Sequence, residues 1–261
     1  MNSQDQKAFE EYLENHFYST EFSRDDSFLE NWKPAFELLK EKPAACVINE
    51  KLCPLRPVDF ANPEGISLEL YTSFAGNIPV IKVCDAGDFE QLVTSVIYKG
   101  IRPENIASTG ASFAFGKTNR FIILSNKPYS NVPAHELGLE ENEWKQKSMA
   151  IRLEHECKWR YGVAKNHIHD ELMADFFGLM NAFGFYKAEW FLRFMGIVGT
   201  SGSRLKCYVP ECSEEFFEEL KKTAVKAAEF LERWSLTEEF KKMTRMEQAD
   251  YLCRKDLGTW N

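Results

Sequence analysis

His155 and Glu156 stand side by side in Arg152-Leu-Glu-His155-Glu156-Cys-Lys-Trp159, and Glu171 and Asp175 follow in Asp170-Glu171-Leu-Met-Ala-Asp175-Phe-Phe-Gly178. These residue types suit metal-assisted hydrolysis. A neutral imidazole ligates zinc, and a neighbouring carboxylate can take the proton from a metal-bound water. The complete motif, H-E-x-x-H, sets two imidazoles one helical turn apart on one face. Here the fifth position is Trp159, whose indole offers an N–H donor and no ligand atom. Glu171 and Asp175 are also one turn apart. Glu171 could complete a metal's ligand set, while Asp175 could accept the outer N–H of His155 and fix its tautomer. His167, four residues before Glu171, is the best replacement for the missing ligand. His169 falls in the loop or first turn. Cys157 lies two residues from His155 and points to another side of the helix.

The run Glu171-Leu-Met-Ala-Asp175-Phe-Phe-Gly178 resembles the E-x-x-[SA]-D-x-x-G helix of the gluzincin metallopeptidases, the thermolysin-like group. The resemblance covers residues 148–180. It implies His155 and Glu171 as metal ligands, Glu156 as general base and Asp175 as support to a ligand. Trp159 departs from it, and so does an interval between the two halves shorter than in thermolysin-like enzymes. Over residues 95–235 the chain is also similar to an uncharacterised bacterial family. That similarity rests on R-L-E-H-E-C, D-E-L-x-A-D, W-F-x-R-F-x-G and R-L-x-x-Y stretches, here Arg152–Cys157, Asp170–Asp175, Trp190–Gly196 and Arg204–Tyr208. It implies no established activity.

Each residue has a plainer reading. Glu156 is four residues from both Arg152 and Arg160 and could belong to a surface ion-pair ladder. His155 on an apolar face is more often a hydrogen-bonded core histidine. Asp170 and Glu171 are favourable first-turn acids against the helix dipole. Arg152 and Arg204 could orient a substrate carboxylate or an oxyanion, with surface salt bridging as the ordinary alternative for both.

Two further motifs weaken on inspection. Residues 111–118, ending Gly116-Lys117-Thr118, satisfy a relaxed phosphate-loop pattern with Ala in place of the first Gly. Such a loop needs a buried strand before it and a helix after it. Here polar turn residues precede it, Phe113 and Phe115 interrupt it, and a strand-like run follows, so two short strands joined by a turn are the better reading. His135-Glu136-Leu-Gly138-Leu139 lacks the second His, and Pro133 and Gly138 disfavour a helix.

The elements that must position these groups follow from periodicity. Phe9, Tyr12, Leu13 and Phe17 predict a helix over 6–18. Phe28, Leu29, Trp32, Phe36 and Leu39 predict a second, opened by Ser23 and Asp26 and kinked or divided at Pro34. From Ala44 to Leu124 short apolar runs at 66–71, 78–83 and 121–124 predict strands, with one helix over 89–98. Helices are expected over 144–161 and 170–185. Ser213 opens a long one carrying Phe216, Leu220, Ala224, Ala227, Leu231 and Trp234 on one stripe. Thr244 and Glu247 form a capping box for a last helix. The loop 199–203 could border a site.

The chain has 261 residues, 44% apolar and 14% aromatic, enough for a sizeable core. Its net charge of −8 with no basic block argues against nucleic acid or an anionic membrane as partner. The start of the chain has no apolar signal segment, and 190–198, the most apolar stretch, is short and interrupted by Arg193. Seven scattered cysteines without C-x-x-C read as reduced thiols in a cytoplasm.

The expected fold is therefore one integrated α+β domain over 1–261, zincin-like. Its parts are helical N-terminal residues 1–42, a small mostly antiparallel sheet within 43–139, and a helical half over 140–261 with the H-E and E-x-x-A-D helices. The expected function is that of a cytoplasmic zincin-like protein with an incomplete metal site, weakly active or inactive as a hydrolase of the peptidase class. The alternative is a binding or regulatory protein that uses the former cleft. Any cofactor would be zinc, and a peptide or protein is the partner class left open.

Overall fold

The computed structural model describes residues 1–14, 26–73, 76–116, 119–157, 167–199 and 204–260, without the side chains of Phe115, His155, Glu156 and Cys157. Along the chain these residues form α1 (Ser3–Leu13), α2 (Lys33–Leu38), α3 (Ala44–Leu52), β1 (Ile66–Ser73), β2 (Gly76–Val83) and α4 (Ala86–Val96). Next come β3 (Ala111–Phe115), β4 (Arg120–Ser125), α5 (Glu141–Cys157), α6 (Ile168–Phe183) and α7 (Ala188–Phe194). The chain closes with α8 (Glu214–Ser235), α9 (Glu238–Lys242) and α10 (Arg245–Cys253).

The sheet runs β1-β2-β4-β3. It is mixed, and two of its three pairings are antiparallel, as expected. The outer pairs β1–β2 and β3–β4 are antiparallel, but the central pair β2–β4 is parallel. Parallel neighbours need a crossover, and α4 with β3 supplies it. Pro79 lies within β2, where a missing N–H would break a two-sided ladder. The pairing with β4 begins at Val80, so at Pro79 the strand has β1 alone beside it.

Strict alternation divides the core in two. Ile78, Val80, Ile122 and Leu124 point into the layer holding α5, α6 and α8. Phe121, Ile123, Ile81 and Val83 point into the layer holding α3 and α4, with Phe89, Leu92 and Ile48. Successive side chains of a strand face opposite ways, so two buried faces require the near-continuous apolar runs seen in β2 and β4.

Several expected elements stand as read. Asn2 caps α1, and residues 15–18 of that expected helix lie outside the described residues. Pro34 divides its segment into a short 3-10 turn, Ser27–Asn31, and α2 with Pro34 in the first turn. β3 and β4 pair antiparallel, and β4 follows where a phosphate loop would need a helix. All six residues of the α8 stripe are buried. Thr244 and Glu247 form the capping box of α10. The expectation of strands from Ala44 onward is corrected by α3. Pro43 precedes it without a side-chain cap, and Val47 and Ile48 have strand-like shape, so its helical state rests on burying Ala45, Val47 and Ile48.

Candidate functional site

Helices α5 and α6 pack tightly. A Cβ on Gly178 would lie 2.8 Å from Ile151 Cγ2 and 3.0 Å from its carbonyl oxygen, so glycine permits the approach. Four residues earlier on α5, Lys147 Nζ donates to the Ala182 carbonyl at 2.5 Å, four residues later on α6. The helices are therefore antiparallel. Carried one turn toward the end of α5, this register sets 154–155 level with 174–175. The backbone of His155 thus lies level with Ala174 and Asp175. The side chains of His155 and Glu156, and Trp159 and Arg160 entirely, lie outside the described residues.

Three acids are buried at this level. Glu154 is 8% exposed, Glu171 1% and Asp175 0%. Charges so placed must be paired or hydrogen-bonded, and each is. The Tyr71 hydroxyl donates to Glu154 in a short contact. Arg204 donates through Nη2 to Glu171 Oε2 and through Nη1 to Asp175 Oδ2 at 3.2 Å. The Tyr129 hydroxyl donates to the other Asp175 oxygen. Arg204 also reaches the Tyr208 hydroxyl from Nε and Ser130 Oγ from Nη1, both at 3.0 Å. Its side chain is 19% exposed.

The electrostatics follow from this packing. Burial disfavours the Arg204 cation, but Tyr129, Asp175, Tyr208 and Glu171 outweigh it and hold its pKa well above the usual value. Burial pushes the Tyr129 phenol far up; Arg204 opposes this, and Asp175 and Glu171 add to it. Tyr129 is thus a fixed donor rather than a titrating group.

A second arginine shapes the same corner. Arg152 donates to the carbonyls of Ser125 at 3.1 Å, Pro128 at 2.8 Å and Lys127 at shorter range. A Cβ on Gly110 would fall 2.4 Å from its guanidinium, so that glycine makes room for it. Beyond these carbonyls, Ser130 and Asn131 both take left-handed backbone, φ 52° and 58°. Two such residues in succession cost about 1–3 kcal/mol each. Arg152 on one side and the Arg204–Ser130 bond on the other hold the turn, which aims Tyr129 at Asp175. Both guanidiniums lie over the Tyr129 ring, at 5.6 and 5.4 Å. Arg204 pairs with two buried acids rather than with surface ones.

His167 sits at the N-cap of α6. Its Nδ1 accepts from the His169 N–H at 3.1 Å, and Asp170 returns a bond to the His167 N–H at 2.7 Å. Accepting at Nδ1 places the ring proton on Nε2, which lies 3.0 Å from the Tyr12 carbonyl. The Tyr12 ring packs on the imidazole at 3.9 Å, tying α1 to the start of α6. Replacing His167 with Ala is expected to lower stability by about 1 kcal/mol, the usual value of an N-cap. Urea denaturation checks this; an unchanged midpoint would show that the cap contributes nothing. His169 lies in the first turn, its Nε2 3.0 Å from the Leu252 carbonyl.

The described donors do not fit a hydrolytic zinc, which needs three protein ligands and an open position. One Glu171 oxygen is bonded to a guanidinium whose charge would repel a divalent ion, and both His167 ring nitrogens are engaged. Among the described residues no three His, Cys, Asp or Glu side chains gather as a metal would require. Sequence reasoning missed Tyr129, Ser130, Glu154 and Tyr71. Tyr208 alone carried a signal, four residues after Arg204.

Comparison with known proteins agrees with the similarity to an uncharacterised family. The model of a family of unknown function, DUF7005, matches residues 47–120 and 117–259, and the chain belongs to that family. No curated protein and no solved structure matches it. Among the described residues no helix is long and apolar enough to cross a membrane.

Proposed function

We propose that the chain is a non-hydrolytic, zincin-like binding protein in which Arg204, rather than a metal, neutralises the acidic pair on α6. The observation that carries this reading is the bridging of buried Glu171 and Asp175 by one guanidinium. The order of the H-E and E-x-x-A-D segments, and the antiparallel register that sets 154–155 level with 174–175, support descent from a metal-binding arrangement. Trp159 in place of a ligand supports its loss. A guanidinium in this position supplies charge but no vacant site for an activated water, so the chemistry of Glu156 as a base has no partner. The function left to such a corner is recognition of a peptide or protein.

The test is a broad peptide library with added zinc, comparing the wild type with Glu156→Gln and Trp159→His. We expect no zinc-dependent cleavage by the wild type. Cleavage by the wild type that disappears in Glu156→Gln would overturn the proposal. Cleavage that appears in Trp159→His alone would support a scaffold silenced at one residue.

A further inference from the structure

On the opposite face of the sheet from α5 and α6, the C-terminal ends of α3 and α4 meet at an open cavity of about 440 Å³. Leu52, Cys53, Leu55, Arg56, Lys99 and Gly100 line it. Leu55 is 94% exposed and the nearby Ile101 76%, the two highest values for large apolar side chains among the described residues. Single exposed apolar residues are ordinary. Here Pro54 and Tyr98 are exposed as well, so the apolar surface is grouped.

The side of the group formed by residues 98–101 is held in place. Lys99 and Gly100 take left-handed backbone, and the turn is closed by Gly100 N–H to the Thr94 carbonyl at 2.9 Å and Ile101 N–H to Tyr98 at 3.0 Å. A patch fixed before binding loses less entropy on binding.

Charge adds a direction. No acidic residue lines the cavity, although the chain carries a net −8. Nearby cations are engaged: Lys51 donates to the Asn31 carbonyl at 2.7 Å, and Arg102 pairs with Glu90 at 2.6 Å. Arg56 and Lys99 have neither a hydrogen bond nor an ion pair from their side chains to any described residue. The ends of α3 and α4 each bring about half a negative charge, roughly one in all, against two full positive charges. The cavity rim remains cationic.

We propose that this face docks an acidic protein segment, inserting a bulky apolar side chain between Leu55 and Lys99 while its carboxylates meet Arg56 and Lys99. A concave site suits a side chain better than it suits a flat bilayer. The full-length protein should be titrated with two fluorescein-labelled pools of twelve-residue peptides. One pool carries three Asp or Glu around one Leu, Phe or Trp; the other has Lys in place of the acids. We expect binding of the acidic pool alone, weakened about tenfold or more by Arg56→Glu/Lys99→Glu and by Leu55→Ser. These side chains are exposed, so an unchanged circular dichroism spectrum shows that the variants fold. Equal binding of both pools, or binding unaffected by the substitutions, would overturn the proposal. So would binding of phosphatidylserine vesicles, or self-association, lost in the same variants in place of peptide binding.

Discussion

Replacing Arg204 with Met is expected to destabilise the protein by about 3–5 kcal/mol, the cost of leaving buried charges without their partner. The side chain is of similar length, so lost volume is not the main cause. Glu171 and Asp175 would keep their buried positions on α6 but lose a guanidinium that bonds to both. Two companion variants separate charge from packing. Arg204→Lys keeps the cation but not the fork that reaches two carboxylates at once, so it should recover only part of the loss. The triple variant Arg204→Met/Glu171→Gln/Asp175→Asn removes the charges together and should recover most of it, as replacement of whole buried ion clusters often does. Urea denaturation reads all three. A single variant with unchanged stability would show that the cluster is not held by Arg204.

The second large effect belongs to Arg152. Changing it to Leu removes three hydrogen bonds from a cation to the carbonyls of Ser125, Lys127 and Pro128. Hydrogen bonds to charged groups contribute about 1.5–3 kcal/mol each, though they do not add fully. A loss of about 3 kcal/mol is expected. It should be local in its first expression, because the left-handed pair Ser130–Asn131 depends on this clamp. Backbone amides over 127–132 should exchange with solvent faster than those of α8. Uniform acceleration across the chain would instead assign Arg152 a role in global packing alone.

Much of the frame was legible because periodicity reports burial directly. The six-residue stripe of α8 and the short apolar runs of β2 and β4 each predicted their own environment. The acidic residues of α6 were legible for the same reason, since an i, i+4 spacing fixes a shared face. What met those residues was not legible. Arg204 lies 29 residues beyond Asp175 and 33 beyond Glu171, and no local pattern couples such distances. Tyr129 sat in a polar stretch that reads as an ordinary turn, and its role depends on two left-handed residues that ordinary Ser and Asn do not announce. Helix α3 was missed because its stability comes from tertiary contact, not from capping or propensity. The parallel pairing at the sheet's centre was missed because pairing partners, unlike strands, leave little local trace.

If the Arg204 guanidinium fills the electrostatic role we propose for it, zinc has no place beside Glu171 and Asp175. Isothermal titration of zinc into the metal-free protein, with and without His155→Ala, decides this. We expect no stoichiometric site in the wild type, an unfolding free energy unchanged by added zinc or chelator, and no effect of His155→Ala on zinc uptake. One zinc bound per chain, stabilising the wild type and lost in His155→Ala, would contradict it.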